Sequence, residues 1–190
     1  MALLPHLNAG RQDNSFPNKQ QMAYQESLCS THASFNQQET VQHYLERGSD
    51  VHVLILDSCK AFDSVWHDGL RKKLYDGGVK GKLWTVIDKL YHDMESCVLI
   101  GNMQSRWFTL QQGVRQDGVL SARLYLLYIN QLLDDITEAK KGALIMYLNT
   151  GCRTRADEVA LVSSCTCNLI SLLRTGASHS PPVRLSVCSG

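Results

Sequence analysis

The feature that most constrains the fold is an apolar run, VHVLIL, that ends on a carboxylate, Asp57. Its β-branched residues and its lack of helical spacing predict a buried strand over residues 51–57. A carboxylate at the end of a buried strand is costly unless it is paired, hydrogen-bonded or bound to a metal. The sequence therefore calls for a partner of Asp57 elsewhere in the chain.

The candidate partners are Asp157 and Glu158, which come just before a second apolar run, VALV. If the two strands are neighbours in one sheet, three acids converge at one end and repel each other unless cations hold them. Two Mg²⁺ ions bridged by carboxylates would do so, and that arrangement serves phosphoryl and nucleotidyl transfer. From the residues alone, the simpler alternative of unrelated strand-end acids facing water is favoured.

The rest of the pattern predicts an α+β fold with a mainly antiparallel sheet covered by helices on one face. Apolar residues at helical spacing predict helices over residues 35–48, 63–78, 81–93 and 118–140, with another beginning at residue 168. Short apolar runs predict further strands over residues 96–101, 106–114, 143–148 and 158–164. The first two of these strands are expected to form a hairpin.

The charge and the cysteine content do not single out one class of binding partner. They predict a soluble intracellular protein. The 19 Lys and Arg nearly cancel the 18 Asp and Glu, so net charge argues neither for nor against nucleic acid. The seven cysteines have no Cys-x-x-Cys spacing, which predicts reduced thiols, no zinc site and no disulfide-linked partner. No apolar run approaches the roughly 20 residues of a membrane helix, and the N-terminus is a poor signal peptide, so no membrane association is expected.

Four stretches resemble, in family order and near family spacing, motifs of non-LTR (LINE-like) retrotransposon reverse transcriptases. The stretch LDSCKAFDSVWHDGLRKKLYDGGVKGKLWTVI resembles the family's first catalytic motif and the helices that follow it. The stretch SRWFTLQQGVRQDGVLSARLYLLYINQLLDDI resembles the family's next signature. The stretch RADEVALVSS resembles the family's Tyr/Phe-Ala-Asp-Asp motif, called the acid box below. The stretch QMAYQESLCSTHASFNQQETVQHYLERG resembles the fingers segment upstream of these motifs. The chain is therefore identified as a member of this family, with the similarity covering residues 21–173.

The resemblance implies a fingers and palm fragment. We expect a flexible lead-in over residues 1–20, a reverse transcriptase fingers/palm domain over residues 21–174, and a divergent or disordered tail over residues 175–190. The acid box is soon followed by the end of the given sequence, so the thumb is expected to be absent. The implied partners are an RNA template, a DNA primer and a dNTP, and the implied cofactors are two Mg²⁺ ions, or Mn²⁺.

The resemblance also implies a role for each site residue. Asp57, Asp157 and Glu158 would be the catalytic metal ligands, with the Ser58 carbonyl as a candidate second contact. Phe62 would be the steric gate against a ribonucleotide 2′-OH. The nucleotide-binding residues would be Ser58, Phe62, Gln116, Asp117 and Gly118. Asp63 is not a metal ligand in the family, and it is expected to cap the helix that follows.

Several departures from the family pattern bear on activity. Glu158 stands where the family has Asp, Arg155 where it has an aromatic residue, and Asp117 where it has Gly. The strand before Asp157 is predicted to be largely missing, which would leave an unpaired, aggregation-prone sheet edge. The expected function is RNA-directed DNA polymerisation by two-metal nucleotidyl transfer in the family, with this copy weakly active or inactive. The alternative is a non-catalytic retrotransposon relic that acts at most as an RNA- or protein-binding module.

Overall fold

The computed structural model describes residues 16–25, 27–58, 60–115, 118, 120–178 and 185–187. The helices are α1 (Ser30–Leu45), α2 (His67–Asp76), α3 (Gly81–Tyr91), α4 (Ser121–Glu138) and α5 (Thr166–Ala177). The longer strands are β1 (His52–Ser58), β8 (Cys152–Arg155), β9 (Glu158–Ser163) and β10 (Leu185–Val187). Two-residue strands are β2 (Glu95–Ser96), β3 (Leu99–Ile100), β4 (Met103–Gln104), β5 (Phe108–Thr109), β6 (Leu144–Ile145) and β7 (Leu148–Asn149).

The chain forms two compact units, of which one includes Phe62–Tyr128 and the other contains Ser15–Ala61 and Ile129–Gly190. The second unit holds the main sheet, whose strand order is β10-β1-β9-β8 with every pairing antiparallel. Helices α1 and α5 contact this sheet. The predicted α+β fold with a mainly antiparallel sheet is confirmed.

The core of the sheet follows from the apolar runs seen in the sequence. Leu161 and Val162 on β9 are 0% exposed, and Leu56 on β1 is 2% exposed. Burying such a side chain contributes roughly 1.5–3 kcal/mol. Leu169 and Leu172 of α5 are buried as well. The two apolar runs that were predicted to be strands therefore lie side by side in one sheet, as expected.

The prediction that the strand before Asp157 is missing is wrong. Residues Cys152–Arg155 form β8, which pairs with β9 through Cys152↔Leu161 to Arg155↔Glu158. The outer edge of β8 is covered by the segment around Gln21, because Met22 N–H donates to the Thr154 carbonyl (2.7 Å) and Thr154 N–H to the Gln20 carbonyl (2.9 Å). The predicted unpaired edge is therefore absent from this part of the described chain. The sequence concealed the strand because only Cys152 and Thr154 are fully buried within it.

The unit that includes Phe62–Tyr128 contains α2, α3 and the small hairpins β2–β5 and β3–β4. The predicted helix start at Asp63 is wrong, since α2 begins at His67 with Trp66 at its N-cap. The reason is a competing pairing: Gly113 N–H donates to the Val65 carbonyl and Val114 N–H to the Phe62 carbonyl, both at 2.8 Å. The Val65 carbonyl, which would accept from Gly69 N–H in a helix that began at Asp63, is thereby occupied by Gly113 N–H, and residues 61–64 form a turn instead, so Asp63 does not cap α2.

Other expectations are corrected locally. The predicted strand over residues 143–148 is a hairpin of β6 and β7, with Met146 at φ +55° in its turn. Asn18 and Gln20, inside the predicted lead-in, are buried, and both α5, which ends at Ala177, and β10 extend into the predicted tail. The domain limits stay predictions, and residues 1–15 lie outside the described residues.

Two further findings concern the cysteines and the membrane. Cys165 and Cys167 form a disulfide, so the expectation of fully reduced thiols is wrong for this pair. The free cysteines of the described chain are Cys29, Cys97 and Cys152. None of the described helices combines the length and the apolar character needed to span a bilayer.

Candidate functional site

A row of ionisable residues crosses three neighbouring strands of the main sheet. Asp57 on β1 is the register partner of Glu158 on β9, and Glu158 is in turn the partner of Arg155 on β8. Directly opposite residues of antiparallel strands project to the same face. Asp57, Glu158 and Arg155 therefore lie on one face of the sheet, where the sequence predicted only carboxylates.

Asp157 lies in the two-residue turn that joins β8 to β9. The turn consists of Ala156 and Asp157, and Ala156 has φ +57°. Such turns match the twist of the flanking strands, and they favour residues that tolerate positive φ at the first turn position. Asp157 is partly buried, and it precedes Glu158 directly. The turn therefore places two consecutive acids at the strand end that also carries Asp57.

Arg155 alters the electrostatics of this acid group. Its Nη1 lies 3.6 Å from Oε2 of Glu158, and the two side chains are 55% and 52% exposed. An exposed pair of this kind contributes only about 0–1 kcal/mol to stability. Its consequence is chemical, because a guanidinium beside Glu158 repels any cation that approaches that carboxylate.

The three acids do not form a preassembled metal site among the described side chains. Among the residues that the structure describes, no group of three His, Cys, Asp or Glu side chains is placed to hold a metal ion. Mg²⁺ requires close to octahedral oxygen coordination at about 2.0–2.1 Å. Register thus brings Asp57, Asp157 and Glu158 to one end of the sheet, and their role as metal ligands stays a prediction.

The predicted nucleotide-binding residues fall in different parts of the structure. Ser58, next to Asp57, is buried at the end of β1. Phe62, in the unit that includes Phe62–Tyr128, is partly buried and stacks on Tyr125, with ring centroids 5.0 Å apart. Gly118 N–H donates to the Arg115 carbonyl at 3.2 Å. Gln116 and Asp117 lie outside the described residues, so their predicted role is not examined by the structure.

A cleft of about 520 Å³ lies beside residues 110–115. Its lining includes Asp63, Glu95, Gln112, Gly113, Val114 and Arg115. His67 lies under this segment, and its Nε2 is 2.7 Å from the Gly113 carbonyl. Acidic and basic side chains share the lining, so its charge alone indicates no single class of ligand.

Sequence reasoning missed Gln21, although it contacts the acid-bearing turn directly. Its side-chain Oε1 accepts hydrogen bonds from the N–H groups of Ala156 and Ala23, each at 2.9 Å. Its Nε2 donates to the Ala156 carbonyl at 3.2 Å. The one available signal was its position, since Gln21 is the first residue of the stretch that resembles the fingers segment.

Comparison with known families decides the identity of the chain. The family model described as reverse transcriptase (RNA-dependent DNA polymerase) matches residues 4–180. The chain belongs to the reverse transcriptase family. The resemblance seen in the sequence is thereby confirmed, and enzymes of this family use divalent metal ions.

Relatives of this reverse transcriptase domain agree with the family. It is 23% identical over 107 residues to the retrovirus-related Pol polyprotein from type-1 retrotransposable element R2 of Popillia japonica, covering 54% of this chain and 18% of that polyprotein. This relative supports a non-LTR retrotransposon origin. The domain thus spans about a fifth of the length of that relative.

Solved structures share the fold at low identity. A telomerase from Candida albicans, solved with the TWJ fragment of telomeric RNA, has a TM-score of 0.69 at 13% identity, covering 99% of this chain and 34% of that one. A truncated apo telomerase from Candida tropicalis has a TM-score of 0.65 at 12% identity, covering 100% of this chain and 39% of that one. At such identities the likeness establishes the fold alone.

Proposed function

We propose that this chain is the fingers and palm part of an RNA-directed DNA polymerase and that, as it stands, it polymerises DNA weakly or not at all. Its partners in this proposal are an RNA template, a DNA primer and a dNTP. The proposed catalytic acids are Asp57, Asp157 and Glu158. The proposed nucleotide-binding residues are Ser58, Phe62, Gln116, Asp117 and Gly118.

The observation that carries the proposal is the row formed by Asp57, Glu158 and Arg155 on neighbouring strands. Register supports a common acid site, because it brings Asp57 and Glu158 opposite each other at the end of the sheet that also holds the turn with Asp157. The Arg155–Glu158 contact of 3.6 Å supports low activity, because it sets a fixed positive charge against one of the acids. The family membership supplies the reaction class, and the row supplies the reason for its weakness.

Phe62 supports the nucleotide side of the proposal. Its ring is held by stacking on Tyr125 at an interplanar angle of 25°, which limits the movement of the side chain. A fixed aromatic ring is what a steric gate needs, because a mobile ring would yield to a 2′-OH.

The proposed fingers/palm domain spans residues 21–174.

Primer extension tests the proposal. The purified chain is incubated with an RNA template annealed to a labelled DNA primer and dNTPs, first in Mg²⁺ and then in Mn²⁺. We expect the hybrid to bind, measured by fluorescence anisotropy, with no extension in Mg²⁺ and faint extension in Mn²⁺ that Asp57→Asn abolishes. Asp50→Asn is the matched control, because Asp50 is an exposed acid just before the same strand.

Three outcomes would count against different parts of the proposal. Robust extension in Mg²⁺ that depends on Asp57 would refute low activity while preserving the reaction. Failure to bind the RNA–DNA hybrid would remove the proposed partners. Binding of RNA with no extension in either metal, and no change on Asp57→Asn, would favour the non-catalytic RNA-binding module instead.

A further inference from the structure

The segment that begins the described chain docks along the outer edge of β8. Gln21 forms a parallel bridge with Thr154, and the backbones of Gln20 and Met22 exchange hydrogen bonds with Thr154. Gln21 is 1% exposed, although its side chain is polar. A buried amide must find hydrogen-bond partners inside the protein. The partners of the Gln21 amide therefore show which part of the structure this side chain stabilises.

Those partners are the two peptide groups on either side of Ala156. Gln21 Oε1 accepts from Ala156 N–H at 2.9 Å, and Nε2 donates to the Ala156 carbonyl at 3.2 Å. The remaining bond of Oε1, from Ala23 N–H at 2.9 Å, fixes the amide within its own segment. The side chain thus forms hydrogen bonds with both backbone polar groups of Ala156.

Ala156 is a residue whose conformation needs such support. Its φ of +57° is in the left-handed region, which an L-residue with a Cβ adopts at a cost and glycine adopts freely. Strained backbone persists only where the surrounding structure holds it. The hydrogen bonds from Gln21 are a direct means of holding it.

We propose that Gln21 is a positioning residue whose side-chain amide holds the Ala156–Asp157 turn and so presents Asp157 beside Glu158. This inference rests on the proposed function, which makes Asp157 one of the catalytic acids. Gln21 does not touch the reacting atoms, and it acts through Ala156. The nearest alternative is that the whole segment docks on β8 and the Gln21 amide itself has no special part.

Amide hydrogen exchange by NMR separates these two possibilities. Gln21→Met retains the side-chain length and removes all three hydrogen bonds. We expect exchange at Ala156 N–H to become at least about tenfold faster, because this amide loses its acceptor. Exchange at Val162 N–H, which donates to the Gly151 carbonyl at 2.9 Å, is expected to change by less than about twofold.

Gln20→Met is the matched control. Gln20 is also buried on the same segment, but its amide bonds to the Asn149 carbonyl and to Arg153 instead of the turn. The Asp157 side-chain carboxyl ¹³C resonance should move in Gln21→Met and stay in place in Gln20→Met. Equal effects of the two variants, or unchanged exchange at Ala156 in a folded Gln21→Met, would overturn the proposal.

Gln21→Glu keeps the test decisive if Gln21→Met fails to fold. In the protonated form, which burial favours, the carboxyl of this variant retains an acceptor for Ala156 N–H and an O–H donor for the Ala156 carbonyl, so this amide should stay protected, and an unprotected Ala156 would count against the proposal. The exchange measurement needs neither template nor activity. Failure of the unmodified chain to bind the RNA–DNA hybrid would therefore refute the proposed function and leave the result for Gln21 standing.

Discussion

Asp57 and Glu158 face each other across the β1–β9 pairing, and Arg155 stands on the far side of Glu158 in the same row. This places a cation beside an acid that we propose to be catalytic. Glu158 thus has the carboxylate of Asp57 on one side and the guanidinium of Arg155 on the other. The net charge of these three residues therefore depends on Arg155.

Replacing Arg155 should strengthen metal binding. Arg155→Tyr restores the aromatic character of the family motif and removes the positive charge 3.6 Å from Glu158. Since an exposed pair is worth about 0–1 kcal/mol, we expect Mn²⁺ affinity to rise by up to roughly fivefold, measured by electron paramagnetic resonance titration. Arg106→Tyr, at an exposed position of the other unit, should have no effect. An unchanged affinity in Arg155→Tyr would show that the guanidinium does not influence the acids.

The two substituted motif positions should differ in severity. Glu158 keeps its charge and oxygen donors, whereas Asp117 adds a Cβ and a negative charge where the family has Gly. Two unit charges 4 Å apart repel by ~4 kcal/mol at an effective dielectric of about 20, and a third of that is about tenfold in affinity. Asp117→Gly should therefore tighten Mg-dNTP binding, measured by calorimetry, more than Glu158→Asp does. The opposite order would show that this loop does not line a nucleotide site.

Gly113→Ala should destabilise the chain more than Gly101→Ala. Both glycines have positive φ, +101° and +59°, but a Cβ on Gly113 would lie 3.3 Å from the Asp63 carbonyl oxygen while one on Gly101 meets nothing within 4 Å. We expect a loss of about 1 kcal/mol at Gly101, from backbone strain alone, and a greater loss at Gly113. Urea unfolding of the two variants measures the difference. Equal losses would indicate that the contact between residues 62–66 and 111–114 yields easily.

Stability should fall in alkaline solution because of Cys152. Complete burial raises the pKa of this thiol to about 12, from an ordinary value of 9.0. The folded chain therefore keeps the thiol protonated, while the unfolded chain releases the proton above about pH 9. The contribution of the neutral thiol is fully present below pH 9 and is lost between pH 9 and about 12, at up to about 1.4 kcal/mol per pH unit. Cys152→Ala should remove this part of the slope in urea titrations at pH 8 to 10, and an unchanged slope would contradict the assignment.

The sequence by itself determined the elements with strong local signals. The strands around Asp57 and after Glu158 were predictable because their apolar runs have the length and β-branched content of buried strands. Helix α3 was predictable because its apolar residues recur at helical spacing. The family, and with it the pairing of the two acid-bearing strands, also followed from motifs that are local in sequence.

Only the tertiary structure decided the features that depend on partners distant in the chain. Strand β8 lacks a continuous apolar run, and it exists because β9 pairs with one edge and the segment around Gln21 with the other. Helix α2 begins at His67 and not at the predicted Asp63, because Gly113 N–H and Val114 N–H bond to the carbonyls of Val65 and Phe62. The grip of Gln21 on Ala156 joins residues 135 positions apart. Hydrogen bonds of this kind leave no periodic trace in the sequence, because their geometry is set only when the sheet has formed.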